Sequence, residues 1–426
     1  MTSPVEFLKP SLIILYALPV FLLLMSVEFL YGILSKHNTY RFNDTFCSLT
    51  LGVLSRIPPA LHLGISGLVY ELAVNLLNIK LLASQNWLTW VIAFVLYDFL
   101  YYWKHRLSHE RSIFWASHVV HHQSEDFNLG TALRQTSSGF LLTWIFFIPM
   151  FVLGIPVEVF ISVAAVNLIY QFWVHTEHIG SLGGLDRLLV TPSNHRVHHA
   201  RNTSYIDANY GGVLIIWDRV FGTFRPEKDS IPPIYGTSKP LQSWNPIWAN
   251  IEIYFQLMRD FWVTKLWKDK ARVLFSRTGW RPADVRTRFP NLHHEDGDDH
   301  KYVGNSTLAT MIFIVVQFVC WLVLAAFLMG DFEELYLNHH LLALSIVCSV
   351  GITAWHLDGR ALSWIFEGAR SLFMILLIFL VGFWDLGEQL VQVLAIQAVF
   401  NLVFLSILGI RPLISLFRRW TSKVVF

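Results

Sequence analysis

About twenty consecutive apolar residues are enough to cross the hydrocarbon core of a bilayer, and this chain repeats runs of that kind along most of its length. Ser11–Leu34 carries one charge, Glu28, and no small-residue cleavage site follows it, so it is expected to be an uncleaved span. Phe46–Ile79 is long enough for more than one crossing, but Arg56 and the pair Pro58–Pro59 interrupt it. A kinked span and a re-entrant hairpin are the alternatives there. Trp87–Trp103 is a third apolar helix, and Gly139–Trp173 holds two stretches split by Gly154 and Pro156, which reads as a hairpin. A second block follows at Thr307–Met329, His340–Trp355, Ser371–Trp384 and Leu390–Ile410. Only 15% of the residues are charged, against roughly 25% in ordinary soluble domains. The expected fold class is all-α, a polytopic transmembrane helical bundle carrying a cytosolic, histidine-rich di-metal domain.

Three divisions are expected: N-terminal transmembrane helices over 1–86, a histidine-bearing domain with a polar cap over 87–305, and C-terminal transmembrane helices over 306–426. Within the polar stretch Gly180–Asn305, the piece Trp244–Trp267 is amphipathic. Trp244, Trp248, Ile251, Phe255, Met258, Trp262 and Leu266 recur at helical spacing. Such a helix either packs as a cap or lies in the headgroup layer with Lys265, Lys268 and Lys270 at its end. Basic residues set the orientation: Lys104, Arg106, Arg111 and Arg134 surround the first histidines, and Arg418, Arg419 and Lys423 come near the C-terminal end. The positive-inside rule places them in the cytoplasm. A net charge of +2 offers no footprint for nucleic acid. Cys47, Cys320 and Cys348 lie far apart in apolar runs, unlike a disulfide framework or a cysteine zinc site.

The informative excess is histidine. Of 18 histidines, ten fall between His105 and His199. His105 and His109 form an HxxxH, one helical turn apart on one face. His118, His121 and His122 form an HxxHH; His175 and His178 flank Thr176-Glu177; His195, His198 and His199 form a second HxxHH. Positions i, i+3 and i+4 of a helix are expected to converge on one point, as a metal requires. One HxxxH is common on a polar helix face, but this recurrence beside apolar runs points to ligation. So many imidazoles exceed the four that close a tetrahedral zinc site and suit two metals with open positions. Imidazole suits zinc, copper and iron alike. Asp98, seven residues before His105, is placed to hold a ligand histidine's outer nitrogen.

These boxes, with the lead-in Asp98-Phe99-Leu100-Tyr101-Tyr102-Trp103-Lys104-His105, resemble the fatty acid hydroxylase/sterol desaturase superfamily of membrane oxygenases. Three stretches, His121–Gln135, Tyr170–Glu177 and Asn209–Phe224, resemble more closely its alkylglycerol monooxygenase (glyceryl-ether monooxygenase) branch. The resemblance implies a non-haem di-iron centre using dioxygen, with tetrahydrobiopterin as reductant. The carbon beside the ether oxygen of an alkylglycerol would be hydroxylated, and glycerol and a fatty aldehyde released. It also implies the ligands His105, His109, His118, His121, His122, His175, His195, His198 and His199; His178 departs from the pattern.

Around these, Glu125 and Glu177 are expected to orient a ligand histidine or bind the pterin, and Asp207 and Asn209 to line the site. Asp126 reads as a cap or surface residue. Arg134 and Gln135 are placed to bind a polar headgroup or to snorkel to lipid phosphate. The expected partner is a membrane lipid; a separate electron donor is required where pterin does not serve. The expected location is the endoplasmic reticulum in a eukaryote or the inner membrane in a bacterium. Two alternatives stand beside this reading. One is a sterol or fatty-acyl hydroxylase or desaturase of the same superfamily. The other is a histidine-rich metal transporter, although transporters place ligands near mid-membrane.

Overall fold

A computed structural model describes residues 10–63, 65–77, 82–291, 297–304, 306–330, 337–382 and 388–409. Arg418, Arg419 and Lys423 lie outside the described residues, as do Ile79, Trp384 and Ile410 at the ends of three expected runs. The elements that matter here are α1 (Pro10–Leu34), α2 (Trp87–Glu110), α3 (Ser112–His122), α4 (Val157–Trp173), α5 (Pro192–His199), α6 (Pro246–Val263), α7 (Leu308–Leu328), α8 (Leu337–Leu357), α9 (Ser363–Gly382) and α10 (Glu388–Phe404). Among the described residues there is no β-strand, only isolated bridges such as Ala200 with Tyr235. Among the described residues, four helices are long and apolar enough to span a bilayer: Ala17–Leu34, Leu308–Leu328, His339–Leu357 and Val391–Gly409.

The stretch after Phe46 breaks where its prolines stand. It forms three short helices, Phe42–Leu54, Ile57–Ala60 and Ile65–Leu77, because a proline cannot donate into a helical ladder. The expected hairpin in Gly139–Trp173 turns at Gly154, whose φ of 69° is open to a residue without Cβ.

The chain divides into two compact units. One comprises residues 1–48, 64–241 and 250–301, and the other 49–63, 242–249 and 302–426. In the first, α2 packs on α4 over a buried apolar cluster that includes Tyr97, Leu100, Phe147, Phe151, Val159 and Val163. Both helices end at the histidines. α1 joins this unit through Phe21, stacked on Phe172 at 3.9 Å. Its lone carboxylate, Glu28, is buried. It accepts hydrogen bonds from the Leu129 amide at 2.8 Å, the Thr176 hydroxyl at 2.5 Å and the Tyr40 hydroxyl. A charge inside an apolar span needs such partners.

α6 buries Ala249, Ile253 and Leu257 and turns much of its aromatic stripe outward. Phe255, Met258 and Trp262 are 57%, 61% and 72% exposed, while Asp260 is buried and receives two hydrogen bonds from Arg281, at 2.5 and 2.9 Å. Trp244, at the head of the stripe, is buried, while Ile251 and Leu266 are exposed like Phe255, Met258 and Trp262. The stripe faces outward, as a headgroup-layer helix requires. Lys270 folds back to donate to the Phe261 carbonyl at 2.7 Å.

In the second unit, α7 to α10 enclose a polar core of Gln317, Ser349, Glu367, Arg370, Gln397 and Asn401, all buried.

Candidate metal centre

The nine boxed histidines come together in two groups. His105, His109, His118, His122 and His198 form one; His121, His175, His195 and His199 form the other; within each, ligand nitrogens lie within 4.8 Å of one another. Each HxxHH divides between the groups. α3 sends His118 and His122 to the five and His121 to the four, while α5 sends His195 and His199 to the four and His198 to the five. Successive helical residues differ in direction by about 100°, so positions i and i+4 nearly coincide while i+3 points elsewhere. The expectation of one convergence point per box is corrected accordingly: each box bridges two points. The groups adjoin where His122 stacks on His199, with ring centroids 4.3 Å apart.

Backbone carbonyls fix the outer nitrogens. Nδ1 of His105 meets the Tyr210 carbonyl at 2.8 Å, His121 that of Arg134 at 3.1 Å, His175 that of Gln171 at 2.7 Å and His198 that of Ala208 at 2.9 Å. A carbonyl only accepts, so each Nδ1 carries the ring's proton and each Nε2 is a bare lone pair. Yet Nε2 of His121 and of His175 face each other at 3.2 Å, where neither can donate. His105 and His118 approach through Nε2 at 3.0 Å, and Nε2 of His109 and of His198 are buried without any partner. Lone pairs aimed at one another in an enclosed space call for a cation between them, and the donor set suits a metal. Burial, reinforced by neighbouring imidazoles, pulls the rings below their ordinary value; His121 falls to about 4 and His198 to about 3. The rings are thus neutral, the form that ligates.

Comparison with known proteins now decides the family. Residues 90–223 match the Fatty acid hydroxylase family. The chain is 36% identical to alkylglycerol monooxygenase of Homo sapiens over 395 residues, 91% of this chain and 86% of that one. It is 41% identical to the Xenopus tropicalis protein of that name and 42% identical to the Danio rerio one, each alignment covering 63% of this chain and 60% of the relative. No solved structure matches at a significant level. The chain belongs to the alkylglycerol monooxygenase family. It is a membrane lipid monooxygenase, an oxidoreductase, and the transporter alternative is set aside.

In this member of the family the other expected residues fall outside the histidine groups. Asp98 meets no histidine. Its oxygens accept from the Val213 and Leu214 amides at 2.8 and 3.1 Å, from Trp217 Nε1 at 2.9 Å and from Asn167 at 3.0 Å. It therefore holds the turn after Asn209, since four donors saturate it before any ring can reach it. Asn209 has φ 57° and Asp207 φ 60°. Asn209 clamps the loop to the Asn194 and Arg225 carbonyls at 3.0 and 2.8 Å, and the carbonyls of its two neighbours, Ala208 and Tyr210, receive His198 and His105. Asp207 is exposed. Glu125 is 3.4 Å from Arg41, and Glu177 is 3.7 Å from His37. Asp126 is buried and paired with Arg41 and Lys301 at 2.8 and 2.7 Å, not a surface cap. Arg134 is buried and donates to the Val120 carbonyl at 2.7 Å, so it reaches no headgroup. The Gln135 amide donates to the Ala132 carbonyl at 3.0 Å. His178 stands away from both groups, beside Tyr31 and His37.

Asp218 escaped the sequence reading. It is buried, and it accepts from the Tyr210 and Gly211 amides and the Thr223 hydroxyl, all at 2.7 Å. Burial raises its carboxyl to about 6. Its signal was a lone carboxylate in an otherwise apolar run after Gly211-Gly212. A Cβ on Gly212 would meet Tyr101 at 2.8 Å and Asp98 at 3.0 Å, so only glycine lets the turn close.

Proposed function

We propose that this chain is a di-iron alkylglycerol monooxygenase that takes its electrons from tetrahydrobiopterin. The observation that carries the reading is the pair of all-histidine groups, five rings and four, with lone pairs turned inward. His105, His109, His118, His122 and His198 would hold one iron, and His121, His175, His195 and His199 the other. Iron supplies there the redox chemistry needed to oxidise a C–H bond with dioxygen, which zinc lacks. The chain's own residues do the rest. The carbonyls of Tyr210, Ala208, Arg134 and Gln171 keep protons on Nδ1 and so keep the ligand nitrogens aimed. Phe127, fully buried, stacks on His175 and on Tyr235, and Trp115 lies 5.2 Å from His109; these rings exclude water from the two groups.

In the reaction proposed, one oxygen atom enters the C–H bond beside the ether oxygen, the other leaves as water, and the pterin gives two electrons. The product is a hemiacetal. Its hydroxyl proton passes to the glycerol oxygen as the C–O bond breaks, which releases glycerol and a fatty aldehyde. Glu125 and Glu177 are the proposed pterin carboxylates, which would accept from ring N–H groups. The histidines are proposed to face the cytosol, where a soluble pterin arrives, in the endoplasmic reticulum of a eukaryote or the inner membrane of a bacterium. Purified protein with iron, dioxygen and tetrahydrobiopterin as sole reductant should convert an alkylglycerol to fatty aldehyde. Turnover with a ferredoxin or cytochrome donor and none with pterin would overturn the pterin reading and leave the two histidine groups standing.

A further inference from the structure

Two rings of the four-ring group depend on backbone outside any helix. α4 ends at Trp173, so His175 and Thr176 lie beyond it. The carbonyl that receives His121 belongs to Arg134, just past the short helix Leu129–Ala132. In both places a buried carboxylate from residues 1–48 does the fixing. Glu28 of α1 accepts the Thr176 hydroxyl at 2.5 Å, while Arg196 of α5 donates to the Thr176 carbonyl at 3.0 Å. The residue that follows His175 is thus clamped between two helices. Asp44, buried in the helix Phe42–Leu54, lies 3.5 Å from the Arg134 guanidinium and accepts from the Ser124 hydroxyl at 2.6 Å and the Glu125 amide at 2.9 Å. Arg134 in turn donates to the Val120 carbonyl at 2.7 Å and takes His121 Nδ1 on its own carbonyl.

The five-ring group draws its support from elsewhere. His105 and His198 rest on the carbonyls of Tyr210 and Ala208, in the turn that Asp98 and Asp218 fasten. Those two acids lie within residues 90–223, the stretch that matches the family, and Glu28 and Asp44 precede it. A membrane span needs no carboxylate, and burying one is costly. An ionised carboxylate accepts several strong hydrogen bonds at once, which suits it to gather a loop. Resting on the two-metal reading above, we propose that Glu28 and Asp44 are positioning residues for the four-ring metal. Residues 1–48 then complete one metal site, and the 209–224 turn completes the other.

The test separates the two sites. Full-length iron-loaded protein in detergent micelles is titrated with a chelator, and the iron left per chain is followed. His175→Ala and His109→Ala each break one group, so the EPR spectrum of the ferric ion that remains in each identifies the sites. Glu28→Gln, Asp44→Asn and Thr176→Val should each bind the four-ring iron about ten- to a hundredfold more weakly, the scale for outer partners of metal ligands. The five-ring iron should be held as in the unaltered protein. Thr176→Ser, which keeps the hydroxyl between Glu28 and His175, should hold both irons normally. Where a carboxylate variant does not fold, the threonine pair decides. Both irons held as tightly as before, or both weakened alike, would give these residues a merely structural role and overturn the inference alone. Absence of iron from the unaltered protein would overturn both it and the di-iron reading.

Discussion

The two units face one problem, polar groups among apolar helices, and answer it in opposite ways. Around the histidines, four outer nitrogens are tied to carbonyls while the inner nitrogens confront one another with nothing to share. In the α7–α10 bundle each charge meets its opposite. Arg370 donates to Ser349 and Gln317, both at 2.7 Å, and to Glu367; Gln317 donates in turn to Asn401 at 2.6 Å, and Gln397 donates to Gln317 at 2.9 Å. One network is left open to an outside cation, and the other closes largely on itself across four helices. The first is built for a ligand. The second fastens helices, as interhelical hydrogen bonds do in a bilayer.

Substitutions that treat the two regions alike should therefore give unlike results. The largest effect is expected for His105→Ala or His198→Ala: activity falls to background and metal is lost, while membrane insertion and helix content by circular dichroism stay normal. Acid should come next, and selectively. The histidines' folded values lie below their unfolded 6.5, so the unfolded chain binds more protons and stability is lost as the pH is lowered. Metal-free protein should lose stability between about pH 6.5 and 4, the window set by His121, with His198 extending it toward 3; unfolding midpoints across that range check it. Third, Arg370→Met should cost about 3–5 kcal/mol by stranding Glu367 in the bundle. Adding Glu367→Gln should recover much of the loss, with iron content unaffected wherever the protein folds; thermal unfolding in micelles and metal analysis separate the two.

Smaller effects would sharpen the picture. Asp98→Asn or Asp218→Asn should weaken metal affinity or rate roughly 10–100-fold, because each loosens the turn whose carbonyls hold His105 and His198. Iron affinity by competitive chelation measures this. Glu125→Gln and Glu177→Gln should raise the KM for tetrahydrobiopterin about tenfold, the scale of one hydrogen bond to a charged group, with kcat little changed. An unchanged KM in both would move the pterin elsewhere.

The primary structure by itself determined what each region is made of. Apolar length singles out membrane helices such as Leu308–Leu328, and histidine spacing names eight members of the two groups, since helical periodicity and hydrophobicity are local properties; His175 is set apart from His178 only by the family resemblance. Tertiary structure decided what those residues do to one another. Which group His121 or His198 joins depends on how α3 and α5 face each other. Asp98 serves the 213–217 turn, not a histidine, because the chain returns there 115 residues later. Glu28 in α1 meets Thr176, 148 residues away. The outward-facing stripe of α6 reads the same in sequence whichever side it presents, for a periodic pattern fixes a face and not what covers it.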